Sequence, residues 1–241
     1  MPHQIFPDWL AVVSGGMLAV GLLCAVLIAI DVARRPQKMW IMDIVWPVTA
    51  LFGSVIWAYG YFEWGRAPTR EARARDAEAG KPPFPVQVAK GASHCGAGCT
   101  LGDIVAEWLV FAIPSIAVAF GWKSLFGEKT FAVWVLDYLV AFGIGVVFQY
   151  FTIKPMRRLS AGEGIVQALK ADAASITAWQ VGMYGLMAVI QFAWFKPAYG
   201  AIAPVNSLEF WFAMQLAMLA GFCTAYPVNW LLIRKGVKEA M

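Results

Sequence analysis

Six apolar runs, each close to the length of a bilayer-crossing helix, limit what this 241-residue chain can fold into. They are Leu10–Ile30, Ile44–Phe62, Ile104–Phe120, Phe131–Ile153, Ala173–Phe195 and Leu208–Ile233. A helix needs about 20 residues to cross a hydrocarbon core of about 30 Å. Backbone polar groups in lipid must be satisfied internally, which favours helices. The runs are too long and too continuously apolar for the alternating strands of an outer-membrane barrel. The expected fold class is therefore an all-α polytopic transmembrane bundle of about six helices. Pro114 and Pro227 fall inside the third and sixth segments, where a kink or a helix end is expected.

Composition agrees: 60% of residues are hydrophobic and 14% charged, against about 25% charged in ordinary soluble domains. Many of the 12 Trp and 7 Tyr sit at the ends of the runs, where amphipathic rings settle at a membrane interface. The net charge of +4 comes with no basic stripe, so nucleic acid is not an expected partner. The flank before the first run, MPHQIFPDW, has no Lys or Arg, unlike a secretory signal, and the run reads as a retained helix. Thirteen of the 19 Lys and Arg fall on the side of both termini, which would make that side cytoplasmic, although Arg34 and Arg35 then lie outside.

Three units are expected: residues 1–65 as a two-helix membrane unit, 66–100 as a long loop, and 101–241 as a four-helix membrane domain. In the loop, Arg66–Lys81 is charged and alanine-rich and reads as an amphipathic or partly disordered surface piece. Its second half ends in His94-Cys-Gly-Ala-Gly-Cys99. Two thiols and an imidazole within six residues suit a soft metal, and glycines would let the backbone curl so that they converge. Three ligands are too few for a closed structural zinc site, and the order is not that of covalent haem attachment. A disulfide, a metal-free redox pair and simple packing are the competing readings.

Asp103 and Glu107 continue from Cys99 at four-residue spacing and share a helical face. Asp103 also reads as a helix cap. Asp137, two turns into the fourth segment, is the most deeply placed acid, and an ionisable group at such depth is a functional candidate by default. Met183 and Met187, and Met214 and Met218, form two pairs at i, i+4, whose thioethers suit Cu(I) or Ag(I). Met also fills gaps in apolar cores. Gln180, Tyr184 and Gln215 accompany these sulfurs. Cys24 and Cys223 read as packing residues. Asp172 and Glu209 read as charges at helix N-termini. Asn229 reads as a partner for backbone that Pro227 frees.

HCGAGCTLGD, FQYFTIKPM, KADAASITAWQVGMYG and FWFAMQLAMLAGFCTAYPVNWLLIRKG resemble an uncharacterised bacterial family of polytopic membrane proteins over about residues 90–240. The resemblance implies a bacterial inner-membrane protein and no particular activity. The residues themselves favour a membrane binder or transporter of a soft metal ion, Cu(I) above others. His94, Cys95, Cys99, Asp103 and Glu107 would form its surface site. Asp137, Gln180, Met183, Tyr184, Met187, Met214, Gln215 and Met218 would form its path. A thiol-disulfide or quinone-linked oxidoreductase, and a non-catalytic subunit of a homo-oligomer or membrane complex, are the alternatives.

Overall fold

A computed structural model describes residues 5–68, 82–157 and 159–239. Among them the chain forms six long helices: α1 (Asp8–Arg34), α2 (Met42–Gly60), α3 (Phe84–Ala112), α4 (Lys129–Arg157), α5 (Ala161–Ala188) and α6 (Leu208–Arg234). α2 runs on as a π-helical turn over Tyr61–Gly65, and α5 runs on through a π-helical stretch, Val189–Phe195, to the turn Lys196–Tyr199. All six are long and apolar enough to cross a membrane. The protein is an all-α multi-pass membrane protein. The charged stretch expected to be amphipathic lies, over residues 69–81, outside the described residues.

One boundary differs from the sequence expectation. The 66–100 loop does not extend to residue 100, because α3 begins at Phe84 with Pro85 in its first turn. That is a position where the missing N–H of proline costs nothing. The stretch Gly91–Thr100 is too rich in Gly, Ala and Cys to register as an apolar run, but every one of its residues is buried. Its glycines serve contact rather than curvature. A Cβ on Gly96 would sit 2.5 Å from the Trp179 ring, one on Gly98 3.1 Å from the Gly145 backbone, and one on Gly102 2.7 Å from Ala141 Cα. Small residues let helix backbones approach closely in lipid, where no hydrophobic drive separates helix contact from lipid contact. As expected, the third apolar run breaks near Pro114: α3 stops at Ala112 and Pro114 caps a short helix, Ser115–Ala119.

α3 is the axis of the bundle, packed by α2, α4, α5 and α6, while α1 lies against α2 and α6 at the edge. The most apolar window of α3 is 61% buried, against 28% for α1. α1 accordingly exposes Val12, Leu22, Leu23 and Leu27, the face that lipid covers. α2 is broken at Ser54, whose φ of 50° and ψ of −134° leave the helical region. Such a break frees carbonyls in the preceding turn, and in a membrane they need a partner. Gln215 of α6 supplies one, its Nε2 donating to Leu51 O at 2.6 Å.

Candidate functional site

The four-residue spacing along α3 turns one face of the central helix into a file of chemistry-bearing side chains. Cys95, Cys99 and Asp103 are fully buried and Glu107 is nearly so. Twelve residues of helix carry the file about 18 Å, over half the hydrocarbon thickness. This corrects two expectations. Cys95 and Cys99 lie inside a membrane helix and not at the membrane surface, and Asp103, some five turns into α3, caps nothing. Both thiols, like those of Cys24 and Cys223, are free.

At the end nearer the C-terminus, the file meets α5, α6 and the segment after α6. Lys238 Nζ lies 3.1 Å from Cys95 Sγ and 3.1 Å from Asp172 Oδ1, and this ion pair is shut off from solvent. Cys95 Sγ also lies 2.9 Å from Ser175 Oγ, and Asn229 Nδ2 donates to Ser175 Oγ at 2.6 Å. Burial works against the charge of Lys238, but Asp172 and Cys95 beside it outweigh burial and hold its pKa above the ordinary lysine value. Asp172 is therefore no capping charge. It lies deep in α5, and the cap of that helix is Ser160, whose hydroxyl accepts from the Glu163 N–H. Glu209 does lie in the first turn of α6, where Ser207 is the cap. Asn229 bonds Ala225 O at 2.9 Å, not the Cys223 carbonyl that Pro227 leaves unpaired.

The other end of the file is unlike this one. Asp137 of α4 is fully buried and lies within electrostatic reach of both Asp103 and Glu107. All four carboxyl oxygens of Asp103 and Asp137 lack a hydrogen-bond partner among the described residues. Lys129, at the start of α4, acts on Glu107. Tyr184 of α5 lies within electrostatic reach of Asp137, Asp103 and Cys99, while its hydroxyl donates to Trp134 O at 2.9 Å. Gln180, also on α5, and Gln149, on α4, are buried with both amide ends unpartnered among the described residues. An ionised carboxylate buried without a partner is costly.

The sulfurs gather beside the file. Cys95, Cys99, Met183, Met187, Met214 and Met218 belong to one buried cluster around Trp179, whose indole Nε1 donates to Met218 Sδ at 3.3 Å. His94 is buried with both ring nitrogens unpartnered among the described residues. The expected convergence of His94, Cys95 and Cys99 on one ion does not occur. Among the described residues no group of three or more His, Cys, Asp and Glu is placed to hold a metal together. Helical geometry explains this, since His94 stands about 100° around the helix from Cys95. Sequence reasoning missed Ser175 and Lys238 and misread Asp172 and Asn229. Asp172 and Ser175, three apart, carried a faint signal of a shared face, and Lys238 carried none.

Fold and site together define a membrane protein of six long helices with a buried file of thiols and carboxyls through its central helix. The chain belongs to the family described as a domain of unknown function (DUF4396), which matches residues 86–238, from α3 through Lys238. No curated protein and no solved structure matches the chain.

Proposed function

We propose that the protein carries a cation across the membrane along the α3 file, in exchange for protons held by Asp103, Asp137 and Glu107. The observation that carries this reading is the pair of fully buried carboxyl groups, Asp103 and Asp137, with every oxygen unpartnered among the described residues. A packed structural core has no use for two such groups, whereas a path that loads and unloads positive charge needs acceptors left free. Polar residues of this kind inside membrane helices are expected on ion and proton routes.

The load favoured by the sulfur set is a soft monovalent metal, Cu(I) foremost. Two thiols and four thioethers lie in the same buried cluster, and such ligands select soft ions over hard ones. The ion would pass between pairs of ligands in succession, since among the described residues no three His, Cys, Asp or Glu are placed to hold it together. Lys238 and Asp172 would close the path on the side of the C-terminus, proposed to be the cytoplasmic face of a bacterial inner membrane. The oxidoreductase alternative is less well supported. Cβ atoms at i, i+4 on a helix stand about 5–6 Å apart, and a disulfide needs about 3.5–4.5 Å, so Cys95 and Cys99 could bond only after α3 unwound.

The test is flux in proteoliposomes containing a trapped pH indicator, with Ag(I) as the redox-inert stand-in for Cu(I). Uptake of Ag(I) with opposite proton movement, abolished in Asp137→Asn and in Cys99→Ser, is expected. Folded wild-type protein that moves neither silver nor protons would overturn the proposal.

A further inference from the structure

Length and hydropathy would let α2 and its π-helical turn cross a membrane, but the path of the chain does not. In an unbroken helix the stretch from Trp46 to Tyr61 would span about 22 Å, yet the two rings are centred 5.5 Å apart. A Cβ on Gly65 would strike the Trp46 ring as well. The chain reverses at Ser54, where the backbone leaves the helical region at a φ of 50°. The first arm starts beside the end of α1, with Met42 and Val45 packed in one cluster with Ile28 and Val32. It runs inward to Leu51, whose carbonyl oxygen would lie 2.5 Å from a Cβ on Gly21. The second arm returns to the end of α1, where Tyr61 Oη donates to Asp31 Oδ2 at 2.8 Å and Arg66 pairs with Asp31. The rise of α1 from Gly21 to Asp31 puts the tip about 15 Å inward, about half the hydrocarbon thickness. Irregular backbone at such depth is tolerated where protein covers it. Here Phe52 packs on the edge of Trp179, and Gln215 donates to Leu51 O.

Contacts at the helix ends then fix the faces of the bundle. Phe6, just before α1, packs on Phe195 and Tyr199 beyond α5, and a Cβ on Gly15 would lie 3.5 Å from Leu208 at the start of α6. At the opposite face, Phe84 of α3 packs on Trp230 near the end of α6. We infer that α2 is a re-entrant hairpin, that the chain crosses the membrane five times, and that the start of α1 and the end of α6 lie on opposite faces. Charge agrees. Lys123, Lys129 and Lys196 fall on the face where α1 starts, which leaves 16 of the 19 Lys and Arg on the other. An excess of Lys and Arg marks the cytoplasmic side, so α6 ends in the cytoplasm. Arg34 and Arg35, misplaced if all six helices cross, join that side. The Lys238–Asp172 pair thus faces the cytoplasm, and the unpartnered carboxyls lie toward the outer face. A cavity of about 350 Å³ beneath the tip, lined by Leu51, Phe52, Leu18, Trp108 and Trp211, occupies the half of the membrane that a crossing α2 would have filled.

The test is labelling of single introduced cysteines in intact cells with a membrane-impermeant maleimide. The background is Cys223→Ala, since the other three native thiols are buried. Ile5→Cys, Lys38→Cys, Gly127→Cys and Lys235→Cys each place the thiol at an exposed position. Ile5→Cys and Gly127→Cys should label from outside, at least tenfold faster than Lys38→Cys and Lys235→Cys. The latter two should label fully once the membrane is permeabilised. Labelling of all four after solubilisation, with wild-type elution in gel filtration, shows that each variant is folded and its thiol reachable. Six crossings demand a different pairing, Ile5→Cys with Lys235→Cys and Lys38→Cys with Gly127→Cys, and that result would overturn the hairpin. Labelling of Lys38→Cys and Lys235→Cys from outside, with the other two protected, would overturn the cytoplasmic assignment. Neither outcome depends on whether the protein moves a metal.

Discussion

The two ends of the α3 file are built from similar residues and solve opposite problems. Near the C-terminus, Asp172 has a cation, Lys238, and the thiol of Cys95 has Lys238 and Ser175. Toward the other face, Asp103 and Asp137 have no hydrogen-bond or ion-pair partner among the described residues. Each end lies in a hydrophobic surrounding where an unanswered charge is costly. The contrast separates a network that holds the bundle together from one kept open for something that comes and goes. An ion path needs both, because a fixed charge pair gives a gate and free acceptors give a place to move.

The comparison breaks most readily at the paired end. Asp172→Asn or Lys238→Met strands one buried charge and should cost about 3–5 kcal/mol of stability, with the double variant recovering most of that loss; thermal unfolding in detergent reads it. If the single variants are as stable as wild type, the pair is not structural. Between the two ends, Gly102→Ala forces a Cβ to 2.7 Å from Ala141 Cα and should cost about 1–3 kcal/mol as α3 and α4 move apart. At the open end the same chemical change should do little to the fold. Asp137→Asn removes no interaction and should leave stability within about 1 kcal/mol of wild type, even as it ends flux. A loss there comparable to that of Asp172→Asn would mean the open end has partners after all.

The smallest effect concerns pH. Because the folded pKa of Lys238 is raised, its pairing stabilises the protein fully below the ordinary lysine value of 10.5 and is lost only as pH rises through the higher folded value. Melting followed against pH should therefore show no pH-dependent change from this pair between neutral pH and 10.5, and a decline above it that is missing in Lys238→Met.

The six apolar helices were legible because runs such as Leu10–Ile30 and Phe131–Ile153 state their length and polarity in plain sequence. The start of α3 was not. Its first half is made of Gly, Ala, Ser and Cys, residues that look like a loop in isolation and become a helix core only when Trp179 and the Gly145 face of α4 close on them. The file itself was visible from Cys99 to Glu107, since four-residue spacing on a helix fixes a shared face. Its depth was hidden by the misplaced helix start. Lys238 lies 143 residues from Cys95, beyond any local periodicity, and only the return of the chain after α6 brings the two together. Gln215 was singled out as part of a path and turned out to serve the break at Ser54 with one end of its amide.

Under the proposed function, Asp103 and Asp137 hold protons which a cation displaces. Infrared difference spectroscopy on the protein in nanodiscs follows the carbonyl band of protonated carboxyl groups directly. On addition of Ag(I), wild type should lose intensity in that band and gain carboxylate signal, and Asp137→Asn should lose correspondingly less. An unchanged carboxyl band in wild type, under conditions where silver is bound, would contradict the account.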